Sequence, residues 1–443
     1  MSMAAHPSHP SSWRVRISLV CITTCTILAI EPSVHATIGD LTLVSSSDTA
    51  VKGDRESREP QISDDGTTVA FRSKSRNLDP NDIDAVFDIY AKTVASGDIA
   101  LVSVTKTGAK SNGASEQPTL SADGSMVAFQ TKATDLDAND VDTNSDIYVK
   151  NLTTGDLTLV SETSGGTKSN GVSDEPDISA DGTMVAFRST ATNLDPADTD
   201  VVPDVYEKDL VTGDISLVSV NGAGTKGNAH SGRPSLSTDG SIVAFRSQAS
   251  NLLASDTDSA FDIYVKDMSS GALRIASADA DGSGGNGSST TPMLSNDGTL
   301  VAFRTSATNL VPADTDSIYD IDVKNLTTGA VILASTTSTG TKSNGSSVNP
   351  SLSADGSAVA FGTFATDLDT RDTDTYQDAY VKFLGSGALI LASTSPTGTK
   401  GNANTLFPWI SGDGARVVFR SDANNLLAAD TDHRGDVYLK QVA

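Results

Sequence analysis

The string Pro-x-Ile/Leu-Ser-x-Asp-Gly occurs at Pro60, Pro118, Pro176, Pro234, Pro292, Pro350 and Pro408, and every interval is 58 residues. Repetition at one fixed period means that a single supersecondary unit is stacked on copies of itself, each burying its apolar faces only against its neighbours. Residues 38–443 number 406, which is seven units of 58 without insertion or deletion.

Four strand signals recur in each unit. In the first, Pro60-Gln61-Ile62-Ser63 is a short strand leading into Asp65-Gly66, a strong hairpin-turn dipeptide. Thr68-Val69-Ala70-Phe71-Arg72 is a nearly continuous apolar run, the pattern of a strand buried on both faces. A long polar loop precedes a third strand, Asp88 to Lys92, and a tight turn at Ser96-Gly97-Asp98 opens a fourth, Ile99 to Ser103. Helical periodicity appears nowhere after residue 36. Seven sets of four antiparallel strands predict an all-β fold, a seven-bladed β-propeller; a β-solenoid would use shorter repeats of parallel strands.

The ends of the repeat array point to a ring. Gly39 to Val44 matches a fourth strand, whereas the chain stops after a third strand, Asp436 to Lys440. Residues 408–443 and 38–59 together make one 58-residue unit. An open stack gains nothing from that offset, but a circle does, because one blade shared by both ends hides the sheet edges. The expected closure is therefore an N-terminal outer strand in the last blade.

The pattern Pro-x-Leu-Ser-Ala-Asp-Gly-x-x-Val-Ala-Phe, at Pro118 to Phe129 and Pro350 to Phe361, resembles the WD-repeat-like propeller motif of TolB-type proteins. The resemblance covers all seven units and implies the propeller alone. The N-terminal α/β domain of TolB has no expected counterpart here, so a role in the Tol-Pal system does not carry over. Family relatives implied by the resemblance include binding scaffolds, a few lyases and the substrate-gating domains of some peptidases, and a fold does not choose among them.

Residues 1–36 stand outside the repeats. Arg14 and Arg16 precede a largely apolar run, Ile17 to Ile30, and Val34-His35-Ala36 supplies small residues at the −3 and −1 positions of a cleavage site. That layout predicts a Sec-type signal peptide over 1–36, cut after Ala36, and a propeller domain over 37–443, periplasmic or secreted. The apolar run is shorter than the ~20 residues a spanning helix needs, and no membrane span is expected in the mature chain. Cys21 and Cys25 both fall in the leader, which leaves no disulfide or thiol chemistry. Removing Arg14, Arg16 and Glu31 from 31 basic and 56 acidic residues leaves 29 and 55. So acidic a chain repels nucleic acid and anionic lipid and suits cations or basic partners.

The most regular polar signal lies in the loop after the second strand, Asp-x-Asp-x-x-x-Asp. It reads Asp82, Asp84, Asp88; Asp140, Asp142, Asp146; Asp198, Asp200, Asp204; Asp256, Asp258, Asp262; Asp314, Asp316, Asp320; Asp372, Asp374, Asp378; and Asp430, Asp432, Asp436. Closely spaced carboxylates suit a hard cation, so Ca²⁺ is the candidate cofactor, with all 21 aspartates as candidate ligands. The spacing matches part of an EF-hand loop, without its glycine or bidentate glutamate. The competing counterweight is internal. Lys52, Lys110, Lys168, Lys226, Lys342 and Lys400 recur in the inter-blade loop, and Arg72, Arg188, Arg246, Arg304 and Arg420 follow the motif phenylalanine. Topology puts these eleven cations at the same end of the ring as the aspartates.

Catalytic signals are weak. Only His230 and His433 remain after the leader, at different points of the repeat, and the serines occupy repeated turn positions. No catalytic residue is assigned. The units differ around the motif proline: Glu59, Gln117, Glu175, Arg233, Thr291, Asn349 and Phe407 precede it, and Trp409 follows the last one. These positions are expected to ring the mouth of the central channel, with Glu59, Glu175, Arg233, Phe407 and Trp409 as candidate binding residues. The expectation is a monomeric, non-catalytic binding or scaffold propeller that engages a protein or glycan through its acidic loop face. The alternatives are a metal-assisted polysaccharide lyase or other propeller enzyme, and a structural surface protein.

Overall fold

The computed structural model describes residues 39–256 and 258–443. The leader expected over 1–36 and its cleavage after Ala36 lie outside the described residues. Twenty-eight strands, numbered β1 to β28 in chain order, form seven four-stranded antiparallel sheets. The first complete blade contains β2 (Ser57–Ile62), β3 (Thr68–Ser73), β4 (Asp88–Thr93) and β5 (Ile99–Leu101). The next five blades repeat it, from β6 (Ser115–Leu120) to β25 (Leu389–Leu391). The last blade joins β26 (Thr405–Ile410), β27 (Arg416–Ser421) and β28 (Asp436–Gln441) to β1 (Leu41–Leu43). Leu41 pairs with Lys440, Thr42 with Leu439 and Leu43 with Tyr438, so the two ends of the array share one sheet as the offset requires.

The Val-Ala-Phe run explains how blades stack. Alternate residues of a strand face opposite sides. Phe129 and Val127 therefore join Ala70 of the preceding blade in one core cluster, while Ala128 turns the other way to meet Phe187 and Val185 of the following blade. Large residues on one face and a small one on the other let neighbouring sheets interlock. In six of the seven blades the phenylalanine also stacks on the cross-strand tyrosine of its own blade, as Phe71 does on Tyr90 at 5.9 Å between ring centroids.

Two strand boundaries differ from the expectation by two residues or more, and both differences bear on the candidate site. The innermost strand starts at Ser57 rather than Pro60. Its ladder pairs Arg58 with Arg72 and then Gln61 with Ala70, so Glu59 and Pro60 stand opposite Phe71 alone, a β-bulge. A proline on this inner edge removes an N–H that has no ladder partner. The fourth strand ends at Leu101 rather than Ser103, and Ser103 instead donates its Oγ–H to Asp88 Oδ1 at 2.8 Å.

The tight-turn end of the ring is closed by backbone. The N–H of Ala122 donates to Ala180 O (2.8 Å), Thr238 to Asn296 O (2.8 Å), Ala354 to Gly412 O (3.0 Å) and Gly412 to Asp64 O (2.9 Å). Asp65 to Ala122, Asp181 to Thr238 and Asn296 to Ala354 complete the circle. Asn296 Nδ2 also donates to Asp64 Oδ2 at 2.6 Å, a contact between two blades that are not neighbours.

Candidate functional site

The aspartate loops and the inter-blade loops meet at the end opposite that circle. In each triad the first and third aspartates are buried and the second is exposed or half-exposed. The first is fixed by the blade tyrosine: Tyr206 Oη donates to Asp198 Oδ2 at 2.5 Å, and Tyr148 to Asp140 Oδ2 at 2.9 Å. The third accepts a serine hydroxyl from the end of the fourth strand, as Asp204 Oδ1 does from Ser219 at 2.6 Å. The fifth complete unit departs from the pattern. Asp322 takes the tyrosine's place, is buried, and has an Oδ1 without a hydrogen-bond partner among the described residues.

Six triads close around a lysine. Lys226 Nζ lies 2.7 Å from Asp204, 3.1 Å from Asp200 and 3.6 Å from Asp198. Lys168, Lys342 and Lys400 repeat the geometry with their own three carboxylates, and Lys110 bridges Asp84 and Asp88. Lys52 performs the same role across the ring closure, 2.9 Å from both Asp432 and Asp436 and 3.3 Å from Asp430. Burial opposes the Lys226 charge, but Asp204 and Asp200 outweigh it and hold its pKa above the ordinary value.

The remaining triad, Asp256, Asp258 and Asp262, has no such lysine. The equivalent position is Gly284, which bridges Ala278 as Lys342 bridges Thr336. Burial pushes Asp262 up to about 7, opposed by the Ser277 hydroxyl, with Asp256 and Asp258 adding to the rise. The lysine series in the sequence skips this unit, so the signal was legible there.

The five arginines do not join the aspartate triads; three of them, Arg72, Arg188 and Arg246, reach glutamates of the channel mouth. Side chains that follow the motif phenylalanine lie on the face toward the bulge of the innermost strand, so Arg72 pairs with Glu59 at 2.8 Å and with Glu116 at 2.7 Å. Arg188 and Arg246 reach Glu175 at 3.7 and 3.6 Å, Arg304 lies over the Tyr319 ring, and Arg420 pairs with Asp422. The acidic loops are thus balanced by six lysines rather than eleven cations, and three of the arginines serve the mouth glutamates instead.

The channel mouth is built by the seven bulges. Glu59, Gln117, Glu175, Arg233, Thr291, Asn349 and Phe407 all hold φ between 50° and 53°. A positive φ is unusual for any residue with a Cβ and most of all for β-branched Thr291. With the prolines and the residues after them, these seven line a funnel of about 230 Å³. Four of them form a relay: Glu59 Oε2 accepts the Gln117 N–H (3.2 Å), Gln117 Oε1 accepts the Glu175 N–H (2.9 Å), and Glu175 Oε2 accepts the Arg233 N–H (2.8 Å). Arg233 Nε returns to Glu175 Oε1 at 3.1 Å. The other arc carries Met293, Phe407 and Trp409. Deeper in the wall, Asp177 Oδ2 accepts the Leu236 N–H at 2.8 Å. Burial pushes Asp177 up to about 7 against that hydrogen bond, and the charge of Asp64 adds to the rise.

The structure thus brings Glu59, Glu175, Arg233, Phe407 and Trp409 to one funnel. Trp409 is partly buried against the core between the last and first blades, so Phe407, 36% exposed, is the freer aromatic. Sequence reasoning missed the arginines around Glu175 and also His230, whose Nε2 is 3.3 Å from Arg188. Burial lowers the His230 pKa, helped by Arg246 and Arg188. His433 contacts Asn424 and the Asp422 carbonyl.

No known protein family matches the sequence, and no curated protein does. Solved structures do match. An oligogalacturonate lyase in complex with manganese aligns over 92% of this chain and 99% of its own, with 13% identity and a TM-score of 0.54. The β-propeller domain of the trilobed protease from Pyrococcus furiosus aligns over 88% and 98%, with 10% identity and a TM-score of 0.54. TolB from Acinetobacter baumannii aligns over 77% of this chain at 16% identity and a TM-score of 0.42, and this chain spans 64% of its length. At such identities the likeness is one of fold: the chain is a seven-bladed β-propeller of four-stranded blades.

Proposed function

We propose that this protein is an exported, non-catalytic binding module that engages a protein or glycan partner at the channel mouth on its acidic loop face. The observation that carries this reading is the ring of seven bulge residues. Each holds the same left-handed conformation, yet the side chains are Glu, Gln, Glu, Arg, Thr, Asn and Phe. Strain held at a site is a pointer to function when the surrounding structure over-determines it. Here it is held in all seven blades, and the side chains presented differ in each. One arc is a pre-ordered polar relay centred on Glu175 and Arg233, and the other offers Met293, Phe407 and Trp409. A polar rim beside an aromatic is the composition of an interaction hot spot.

The test is an affinity comparison. The wild-type protein is used as bait on envelope extract of the producing cell and on a glycan array, beside Arg233→Glu, Phe407→Ala and Ser96→Ala at the opposite face. A partner retained by wild type and Ser96→Ala but lost by the two mouth variants is expected. Retention by the mouth variants with loss at Ser96→Ala overturns the reading. So does turnover of oligogalacturonate in the presence of manganese, which is the lyase alternative.

A further inference from the structure

The position after the motif proline contributes to the same funnel, nearer the tight turns, and Asp177 is its only acid in seven units. The acids of the rim are neutralised: Glu59 pairs with Arg72, and Glu175 with Arg188, Arg233 and Arg246. Asp177 is not. Its Oδ2 accepts the Leu236 N–H at 2.8 Å, while its Oδ1 has neither a hydrogen bond nor an ion pair among the described residues. Apart from burial, the groups that act on its carboxyl are that amide and the charge of Asp64, with no cation among them. Asp64 stands nearer the floor, where Asn296 Nδ2 donates to its Oδ2 across the ring. A carboxylate set in a protein wall without a counter-charge is costly until a cation meets it.

Thr119 supplies a separate observation. In other blades the same position spends its oxygen on the next blade: Ser235 Oγ accepts the Leu294 N–H at 3.0 Å, and Ser351 Oγ accepts the Ile410 N–H at 3.2 Å. Thr119 also lines the funnel and is 5% exposed, yet its hydroxyl has no partner among the described residues. A free carboxylate oxygen and a free hydroxyl therefore belong to adjacent blades of one wall. Trp409 lies nearly opposite Asp177, because the seventh blade is four steps from the third one way and three the other. Met293, from the fifth blade, adds to the apolar lining.

We propose that the funnel receives one lysine side chain of a protein partner, its ammonium on Asp177 and Thr119 and its methylenes along Met293 and Trp409. This rests on the mouth being the binding face. Asp177 and Asp64 repel an anion. A calcium ion needs about six to eight oxygens, far more than this wall offers. A guanidinium is best met by two parallel carboxylate oxygens, and the Leu236 amide already occupies one. An ammonium is a point charge with rotatable donors on a flexible apolar stem, which suits one oxygen, one hydroxyl and an apolar surface beside them.

The probe is the peptide acetyl-Gly-Gly-Lys-Gly-Gly-amide, titrated into the full chain and followed by the fluorescence of Trp409. The other tryptophan, Trp13, precedes the described residues. Saturable binding is expected, weakened at least about tenfold when norleucine replaces the lysine and about threefold when arginine does. Asp177→Asn keeps an acceptor for the Leu236 N–H, so it should fold and bind the lysine peptide at least about tenfold more weakly. Absence of binding by the lysine peptide, or equal binding of the norleucine peptide, would overturn the proposal with wild-type protein alone. Undiminished binding by folded Asp177→Asn would overturn it too. The mouth itself is judged separately: a partner lost by Arg233→Glu and Phe407→Ala but kept by Asp177→Asn removes the lysine seat and leaves the mouth as the binding face.

Discussion

The outer clamps and the inner mouth lie at the same end of the ring and obey opposite rules. At the clamps the aspartates are identical in all seven units, and six of the seven cradles enclose the same lysine. At the mouth the backbone is identical, with φ near +50° in every unit, while the side chain changes from blade to blade. The difference teaches that recurrence in this chain marks assembly, whereas the mouth conserves its backbone and varies its side chains, as the proposed binding role requires. A clamp joins the inter-blade loop to the loop of one blade and recurs in six of the seven blades. A mouth residue faces the channel, where nothing repeats.

The largest break is expected at the clamp side of the ring closure. Deleting residues 37–46 removes β1 with its pairing to β28, and also Ser45, whose hydroxyl donates to Asp436. Loss of cooperative folding is expected, read as aggregation or a collapsed thermal midpoint; an unchanged melt would refute a closed ring.

Lys226→Met tests an interior clamp. It strands buried Asp198 and Asp204 without their counter-charge, and removing one member of a buried ion pair costs about 3–5 kcal/mol. Urea denaturation checks it. A loss below about 1 kcal/mol would make the clamps ordinary surface pairs.

Glu207 sharpens the comparison through pH. It stands at a position filled by Val149, Val265, Val323 and Val381 in other blades, and burial pushes it up to about 8, with Asp209 and Asp239 adding to the rise. An acid whose folded pKa is raised stabilises fully below its unfolded pKa and loses that contribution as pH climbs through the folded value. Stability should therefore fall between about pH 5 and 8, by on the order of 3 kcal/mol. Glu207→Val should flatten that part of the stability profile; an undiminished slope in the variant would place the titration elsewhere.

The smallest stability effects are expected at the mouth, where binding should carry the signal. Trp409→Ala should cost about 2 kcal/mol because part of the ring is core, and Phe407→Ala within about 0.5 kcal/mol. Both should weaken partner binding, whereas Ser96→Ala should change neither quantity. If Phe407→Ala binds as wild type does, the aromatic arc is not part of the interface.

Much of the fold was legible because its signals are local and repeated. Asp-Gly turns, the Val-Ala-Phe run and the offset ends sufficed for strand order and closure. The bulge was hidden, since a proline inside a polar stretch reads as a strand boundary rather than as the middle of an inner edge strand. The arginines were placed with the aspartates because topology gives the end of a strand but not the face its side chains take. The missing lysine was visible as a skipped unit, but its meaning needed the other six cradles in three dimensions.

By itself, then, the sequence determined the number of blades, four strands to a blade and the pairing of the two ends, because a fixed period and alternating apolar faces allow little else. Only the tertiary structure decided which charges meet. Lysine and arginine are equivalent in a count of cations, but a strand sends alternate side chains to opposite faces. The bulge then turns the pre-proline residue into the channel, so Arg72, Arg188 and Arg246 meet mouth glutamates while lysine, from another loop, closes the clamp. The same geometry leaves one cradle without its ammonium, at Asp256, Asp258 and Asp262, because the residue that would have filled it is Gly284.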